Sequence, residues 1–238
     1  MRLALFDLDH TLLPIDSADA WSHFVVRAGG LDPETHAAQI RRFAEEYRCG
    51  SFDPEEYLAF QMGLLARFAL ARLEKIRSDF VEEVIEPNLR PEAFELIDSH
   101  RRRQHELVLV TGTNSFVTAP IAERLGLPHL LAVRPEQIGG RFTGGYVGHH
   151  TYGYGKVVAV ERFLAERGST IETLEQCAFY SDSINDVPLL ERVAAGGGQA
   201  VVTNADQPLR ALAQQRGWPV LDLFATALRF GETAPDRH

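Results

Sequence analysis

Strand-like and helix-like hydrophobic patterns alternate along most of the 238-residue chain. The apolar run from Leu3 to Leu8 has the length of a buried central strand and ends in acidic residues. After Pro87 the same alternation begins again, with a helix predicted near 91–103 and a strand over 106–110. Strands that alternate with helices are typical of a parallel, doubly wound sheet, so we expect an α/β fold with a Rossmann-like core.

Two turns are predicted in the second part of the chain. Residues 111–114 directly follow the strand at 106–110, and Gly144-Gly145 has the composition of a two-residue hairpin loop. The remaining strands are predicted at 130–133, 178–180, 200–202 and 219–221, and the remaining helices up to residue 126 and at 156–166, 187–194 and 207–215.

From about Asp16 to Ile85 the apolar residues recur at helical spacing, and no strand is predicted. Asp32-Pro33 and Asp53-Pro54 each place an N-capping carboxylate before a proline at the first helical position. Glu56, three residues after Asp53, predicts a capping box. A helical insertion directly after the first strand lies over the carboxyl ends of the sheet, where ligands bind in open α/β folds, so we expect it to act as a lid.

Composition narrows the class of protein. Hydrophobic residues make up 45% and charged residues 24%, which is typical of a globular protein and excludes disorder as the main state. The net charge of −9 is not that of a protein that binds duplex DNA or an anionic membrane. Two cysteines, Cys49 and Cys177, fit a reducing compartment and exclude a zinc site built from paired cysteines.

The first residues do not resemble a targeting segment. The apolar run after Arg2 is interrupted at Asp7, before it reaches the roughly 7–15 residues of a secretory signal. No stretch approaches the roughly 18 apolar residues of a membrane span. We therefore expect a cytoplasmic protein that is not bound to a membrane.

Asp7 and Asp9 place two carboxylates one residue apart after the first strand. Alternation along a strand sends positions i and i+2 to one face, so both acids are expected to converge. Two like charges at that spacing repel each other, and a hard divalent ion with oxygen ligands, Mg²⁺, relieves the repulsion. The alternative is a solvated turn in which an aspartate caps the next helix.

Three further groups follow later strands. Thr111-Gly112 offers a hydroxyl and an unhindered N–H before a helix, an arrangement that suits a phosphate. Lys156 opens a helix, where the macrodipole disfavours a cation, so its side chain points either to solvent or to an anion. Asp182 and Asp186 form a second acidic pair, although Asp186 alone is also a candidate helix cap. In a doubly wound sheet these strand ends meet in one crevice.

These four motifs together resemble the haloacid dehalogenase superfamily, and within it the phosphoserine phosphatase-like branch (subfamily IB). They are Asp7-x-Asp9-x-Thr11, Thr111, Lys156 and Asp182-x-x-x-Asp186. By that resemblance, residues 1–13 and 87–238 form a Rossmann-like core and residues 14–86 a helical cap. The resemblance implies a Mg²⁺-dependent phosphatase that hydrolyses a small phosphomonoester.

The resemblance also implies a role for each residue. Asp7 is the nucleophile that forms an aspartyl-phosphate, and Asp9 is the general acid and base. Asp7, the Asp9 carbonyl and Asp182 hold Mg²⁺. The phosphate is bound by Thr111, the Gly112 N–H and Lys156, and Asn185 and Asp186 support the metal from behind.

The departures from the branch concern the substrate. Ser181, Ser183 and Thr113 stand where glycines are usual, and Asp16 replaces a glutamate that holds the substrate's amino group. Asp16 therefore suits an amine on the leaving group, or else it caps the helix that begins near Ala18. Candidates for binding a substrate carboxylate are Arg48, Arg67 and Arg72. The candidate substrates are phosphoserine and histidinol phosphate.

Two other functions remain open at this point. A phosphotransferase or mutase uses the same phosphoaspartate with an acceptor other than water. A phospho-acceptor signalling domain also combines an acid cluster with a threonine and a lysine, but it lacks an acid at the position of Asp9 and a helical insertion. We expect a small-molecule phosphomonoester as the partner and no nucleic acid, and the sequence does not fix the oligomeric state.

Overall fold

The structure is a computed structural model that describes residues 1–49 and 51–225, without the side chains of Ala44, Tyr47 and Arg48. Its seven strands are β1 (Arg2–Phe6), β2 (Glu106–Asn114), β3 (His129–Ile138), β4 (Arg141–Val147), β5 (Gln176–Ser181), β6 (Gln199–Thr203) and β7 (Val220–Leu221). They form one sheet in the order β4-β3-β2-β1-β5-β6-β7, in which only the β3–β4 pair is antiparallel. The predicted α/β class is therefore confirmed.

The α-helices of the described residues are α1 (Ser17–Gly29), α2 (Pro33–Cys49), α3 (Pro54–Ala66), α4 (Leu70–Phe80), α5 (Pro91–Arg102), α6 (Ser115–Arg124), α7 (Tyr154–Ala165), α8 (Val187–Ala195) and α9 (Gln207–Arg216). One π-helical turn (Val81–Ile85) continues α4, and 3₁₀ turns occupy Glu86–Asn88, Ile171–Thr173 and Ile184–Asp186. No described helix is long and apolar enough to cross a membrane.

The sheet is covered on both faces, because side chains alternate along the central strand. Ala4 and Phe6 of β1 face a core shared with α1 and α3 to α6, whereas Leu3 and Leu5 face a core shared with α7 to α9. All four side chains are fully buried. This two-sided burial explains why β1 is a continuous apolar run rather than an alternating one.

The four helices α1 to α4 lie between β1 and β2 in the chain, as the helical spacing predicted. Their core is continuous with that of the sheet: Trp21 of α1 packs edge-on against Phe116 of α6 at 6.0 Å between ring centroids. Arg77 of α4 also donates from Nη1 to the Phe116 carbonyl at 2.9 Å. The division into a core of 1–13 and 87–238 and a cap of 14–86 stays a prediction.

Three local predictions differ from the structure. The β3–β4 hairpin turns at Gly139-Gly140, where both residues have positive φ (57° and 76°), and Gly144-Gly145 lies within β4. The predicted turn over 111–114 is instead the end of β2, whose pairing with β3 shifts register there. Glu56 forms no capping box, since its carboxylate pairs with Arg42.

Candidate active site

The chain turns sharply after β1, and this turn brings Asp7 and Asp9 together. The Leu8 carbonyl accepts hydrogen bonds from the N–H groups of Thr11, Leu12 and Leu13 at 2.8–3.2 Å. His10 has a φ of +56°, in the left-handed region. The strand itself ends at Phe6, so the two acids converge through a turn and not through strand alternation. His10 lines the cavity described below.

Asp7 is held by a donor at each carboxylate oxygen. Lys156 Nζ donates to Oδ1 at 2.6 Å, and Thr11 Oγ1 donates to Oδ2 at 3.1 Å. The residue is 5% exposed, yet it lines the cavity. The carboxylate is therefore fixed in one orientation with a face open to a ligand.

Lys156 lies between two carboxylates at the base of the site. Its Nζ donates to Asp186 Oδ2 at 2.6 Å as well as to Asp7, and Ser181 Oγ donates to the same Asp186 oxygen at 2.6 Å. Burial alone would lower the pKa of the Lys156 ammonium, but Asp186 and Asp7 outweigh it and raise the pKa above its usual value. Lys156 is thus a permanent positive charge beside Asp7.

Asp9 is held by two donors and carries a perturbed pKa. Ser17 N donates to Oδ1 at 2.7 Å, and Thr113 Oγ1 lies 3.0 Å from Oδ2. Burial, with the nearby carboxylates of Asp16 and Asp7, raises the pKa of Asp9 to about 8. Because a backbone N–H can only donate, the proton of neutral Asp9 belongs on Oδ2.

Asp182 completes the acidic group. Thr11 Oγ1 lies 3.3 Å from Asp182 Oδ1 and accepts from Asp182 N at 3.1 Å, which ties the two acidic turns together. Burial and the carboxylates of Asp7 and Asp186 raise the pKa of Asp182 to about 8. Without a bound cation, the aspartates of this group are too close together for every carboxyl group to ionise.

This surplus of negative charge fits a divalent cation. Asp7 and Asp186 both pair with Lys156, and Asp7 and Asp182 are tied to the same Thr11 hydroxyl. Among residues 1–49 and 51–225, no three His, Cys, Asp or Glu side chains are grouped to hold a metal. The predicted set has two carboxylates and the Asp9 carbonyl, which suits Mg²⁺ because this ion keeps several waters.

A cavity of about 540 Å³ opens above these residues. The catalytic candidates Asp7, Asp9, Gly112, Lys156, Asp182, Asn185 and Asp186 line it. The rest of the lining includes Tyr152 and residues of the helical insertion, namely Asp16, Ala18, Asp19, Ile40, Phe43, Phe52, Pro54, Tyr57 and Leu58. The volume is that of a small-molecule site.

Several predicted residues take other positions. Thr111 is fully buried, does not line the cavity, and accepts from Thr113 N at 3.1 Å, so its contact with phosphate stays a prediction. Asp16 lines the cavity and also caps α1 by accepting from Asp19 N at 2.8 Å, so its contact with an amine of the substrate stays a prediction. Asn185 donates from its backbone N to Ser183 Oγ at 3.2 Å.

Two of the three predicted arginines, Arg67 and Arg72, do not line the described cavity. Arg72 is exposed, donates to the Gly29 carbonyl at 3.1 Å and stacks on Phe68, which excludes it from the site. Arg67 is exposed at the end of α3 and is not part of the wall. The side chain of Arg48 lies outside the described part of the chain.

Sequence reasoning missed the groups that hold the acids in place. Thr113 and Ser181 were singled out only as departures from glycine, yet their hydroxyls contact Asp9 and Asp186. It also missed the aromatic wall of Phe52, Tyr57 and Tyr152. A signal was present at Thr113, since a polar side chain near the end of a buried strand needs a hydrogen-bond partner.

Comparison with known proteins shows the family of this chain. The family model for haloacid dehalogenase-like hydrolases matches residues 4–191. The chain therefore belongs to the haloacid dehalogenase-like hydrolases. It is an enzyme of the phosphatase type, as predicted, because its relatives in the phosphoserine phosphatase-like branch are named as phosphatases.

Two sequence relatives illustrate the branch. A histidinol-phosphatase of Neisseria meningitidis serogroup C (strain 8013) is 34% identical over 222 residues, which are 93% of this chain and 98% of the relative. A phosphoserine phosphatase of Mycobacterium tuberculosis (strain ATCC 25618 / H37Rv) is 36% identical over 154 residues, which are 65% of this chain and 48% of the relative.

Two solved structures are similar in fold. A protein of unknown function from Bordetella pertussis Tohama I superposes with a TM-score of 0.88 at 42% identity, covering 94% of this chain and 99% of that one. A substrate-bound phosphoserine phosphatase superposes with a TM-score of 0.64 at 19% identity, covering 97% and 98%. The second likeness concerns the fold alone.

Proposed function

We propose that this phosphatase hydrolyses a small, polar, amine-bearing phosphomonoester through an aspartyl-phosphate on Asp7, with Mg²⁺ as cofactor. The observation that carries the proposal is the pairing of two different carboxyl groups in one cavity. Asp7 is fixed by Lys156 and Thr11 as an acceptor, while Asp9, whose pKa is raised to about 8, keeps its proton near neutral pH. The two environments thereby suit Asp7 to act as the nucleophile and Asp9 to act as the general acid.

In the first step, an Asp7 carboxylate oxygen attacks phosphorus, and the bond from phosphorus to the ester oxygen breaks. Asp9 gives its Oδ2 proton to the departing alkoxide. In the second step, Asp9 takes a proton from a water molecule as that water attacks the phosphorus of the aspartyl-phosphate. Inorganic phosphate leaves, and Asp7 and Asp9 return to their starting protonation states.

The other residues stabilise the phosphoryl group. Lys156 supplies a permanent positive charge at the base of the cavity, and the Gly112 N–H and Thr111 are proposed to donate to phosphoryl oxygens. Asp7, the Asp9 carbonyl and Asp182 would hold Mg²⁺, supported by Asn185 and Asp186. When bound, Mg²⁺ neutralises charge on the phosphoryl oxygens.

Residues 14–86 are proposed to form the cap that selects the leaving group. Asp16 and Asp19 at the start of α1 line the cavity, which supports a leaving group that carries an amine. The names of the relatives, a histidinol-phosphatase and a phosphoserine phosphatase, supply two amine-bearing candidates. An enclosed cavity of this size favours a small substrate over a protein or nucleic acid.

The test is release of inorganic phosphate from a panel of small phosphomonoesters, with Mg²⁺ and with excess chelator. We expect turnover that the chelator abolishes and that Asp7→Asn removes. Asp98→Asn, an exposed site on α5, serves as the matched control with unchanged turnover. Full activity of Asp7→Asn would contradict the assignment, and transfer of phosphate to an added alcohol in preference to water would show a phosphotransferase. A single slow phosphorylation without turnover would indicate a signalling domain.

A further inference from the structure

The cavity carries acidic side chains besides the four aspartates of the predicted catalytic group. These are Asp16 and Asp19 at the start of α1 and Asp206, which caps α9. Among the lining residues that the structure describes, Lys156 is the only lysine or arginine, and it is already bound between two carboxylates. A leaving group with a carboxylate would meet like charges here, whereas a cation would be attracted.

The same cavity carries a continuous aromatic surface. Phe43 and Tyr57 lie edge-on at 5.2 Å between ring centroids, Tyr57 and Phe52 are 5.4 Å apart, and Phe52 and Tyr152 are 5.4 Å apart. The first three rings come from the helical insertion, and Tyr152 precedes α7. Aromatic faces bind flat rings by stacking and bind cations through the ring quadrupole.

The acidic and aromatic surfaces meet at Tyr57. Tyr57, Asp16 and Asp19 line the same cavity, and burial, followed by the carboxylates of Asp16, Asp9 and Asp19, holds the pKa of the Tyr57 hydroxyl well above its usual value. Gln61 Nε2 donates to the Tyr57 hydroxyl at 3.0 Å and to Ser22 Oγ at 2.8 Å, which fixes the orientation of the tyrosine. The wall therefore offers negative charge and flat apolar surface side by side.

We infer that the leaving group is a cation with a planar ring and no carboxylate, its ammonium beside Asp16 and Asp19 and its ring against Phe52 and Tyr152. The inference rests on the proposed phosphomonoesterase activity and specifies its substrate class. Of the two candidates, histidinol phosphate has an ammonium and an imidazole ring. Phosphoserine has a carboxylate, which this wall repels.

The experiment compares kcat/KM for five esters on the Mg²⁺-loaded enzyme: ethyl phosphate, benzyl phosphate, phosphoethanolamine, phosphoserine and histidinol phosphate. The first four share an alkyl leaving oxygen. Compared with ethyl phosphate, benzyl phosphate adds a ring and phosphoethanolamine adds an amine. Compared with phosphoethanolamine, phosphoserine adds a carboxylate. We expect the amine and the ring each to raise kcat/KM about tenfold and the carboxylate to lower it at least about tenfold. Histidinol phosphate should exceed the other four.

Two variants assign these preferences to residues. Asp16→Asn keeps a helix-capping side chain but removes its charge, and we expect it to reduce the advantage of phosphoethanolamine over ethyl phosphate about tenfold. Phe52→Leu should reduce the advantage of benzyl phosphate over ethyl phosphate about fivefold. The matched controls are Asp32→Asn at the start of α2 and Phe142→Leu in β4, which lie outside the cavity and should leave both ratios unchanged.

Each outcome is decisive. Phosphoserine turned over as fast as phosphoethanolamine would overturn the inference, and loss of that turnover in Arg48→Ala would identify the group that binds the carboxylate. Similar kcat/KM for all five esters would also overturn it, while leaving the proposed phosphatase activity intact. No Asp7-dependent hydrolysis of any ester would instead contradict the proposed function itself.

Discussion

Thr113 Oγ1 lies 3.0 Å from Asp9 Oδ2, so a hydroxyl at the end of β2 orients an acid that follows β1, 104 residues earlier. The opposite oxygen, Oδ1, accepts from Ser17 N at 2.7 Å. Because the Ser17 N–H can only donate, the proton of neutral Asp9 lies on Oδ2. The Thr113 hydroxyl can accept a hydrogen bond from this proton and can donate one to Oδ2 when Asp9 is ionised. The acid is thereby fixed before substrate binds.

Replacement of Asp9 should slow the hydrolysis of alkyl esters more than that of aryl esters. Asp9→Asn keeps the contacts to Ser17 and Thr113 but cannot donate a proton to an alkoxide, so hydrolysis of an alkyl ester should fall by about 10²–10⁴-fold. An aryl ester needs less protonation and should lose less. Steady-state kcat for ethyl phosphate and phenyl phosphate measures the difference, and equal losses for both would rule out Asp9 as the acid.

Binding of Mg²⁺ should strengthen as pH rises through 8. In the metal-free protein, burial and the neighbouring carboxylates of Asp7 and Asp186 raise the pKa of Asp182 to about 8, so a proton competes with the metal below that pH. A raised carboxyl pKa also means that the metal-free protein loses stability as pH rises from about 4 to about 8. Thermal unfolding with Mg²⁺ or chelator at pH 6.5 and pH 9 tests both effects.

We expect the rise in Tm on adding Mg²⁺ to be larger at pH 9, and Asp182→Asn to remove most of it at both pH values. The same increase at pH 6.5 and pH 9 would show that no carboxyl group with a raised pKa takes part in binding the metal.

Gly155 and Gly63 should respond oppositely to alanine. A Cβ at Gly155 would collide with the His150 carbonyl oxygen and displace the first turn of α7, which carries Lys156. We expect Gly155→Ala to lower Tm and to reduce kcat/KM by about 10²-fold or more, the scale of losing one preorganised group. A Cβ at Gly63, within α3, meets nothing within 4 Å, so Gly63→Ala should stabilise by about 0.5–1 kcal/mol.

Thermal unfolding and initial rates of the two variants measure these effects. Wild-type Tm and activity in Gly155→Ala would show that the helix start tolerates displacement and that Lys156 is not fixed by it.

A histidine pair, of which His100 is buried, should make the fold sensitive to acid. His100 Nδ1 lies 2.7 Å from His105 Nδ1, and His100 Nε2 lies 2.7 Å from the Tyr180 hydroxyl. His105 Nε2 donates to Gln176 Oε1 at 3.0 Å, so His105 Nδ1 accepts from His100, and Tyr180 donates to His100. If His100 takes up a second proton, at Nε2, that proton faces the Tyr180 hydroxyl, which already donates to the same nitrogen.

Burial, together with the charges of His105 and Arg103, lowers the pKa of His100 to about 4. The neutral form is therefore favoured in the folded protein, and the stability it provides is present above pH 6.5 and lost as pH falls towards 4. Between pH 7.5 and pH 5 we expect wild type to lose about 2 kcal/mol more than His100→Gln, which cannot titrate. Urea unfolding at both pH values measures this, and parallel losses would contradict it.

The sequence predicted the catalytic candidates because their position depends on topology alone. Asp7, Lys156 and Asp182 follow a strand or open a helix, and the carboxyl ends of parallel strands meet whatever the details of packing. The contact of Thr113 with Asp9 could not be predicted in this way. It depends on the register shift near the end of β2, which alternation does not reveal.

The hairpin shows the same limit. Gly139-Gly140 and Gly144-Gly145 are both flanked by strand-forming residues, and local composition does not distinguish them. A Cβ at Gly144, where φ is +93°, would come within 3.6 Å of Ala66 Cβ, so this glycine lies in β4 where α3 packs against the strand. Tertiary packing, not turn propensity, decides which pair forms the turn.

The most direct measurement is to locate the phosphoryl group during turnover. Asp9→Asn, which is slowed in transferring protons for both steps, is mixed with ³²P-labelled phenyl phosphate and Mg²⁺ and quenched in acid. We predict a hydroxylamine-sensitive acyl-phosphate label on the protein, located at Asp7 by peptide mapping and absent from the Asp7→Asn, Asp9→Asn double variant. Hydrolysis of the ester with no labelled protein at any time, or with the label on another residue, would contradict the account.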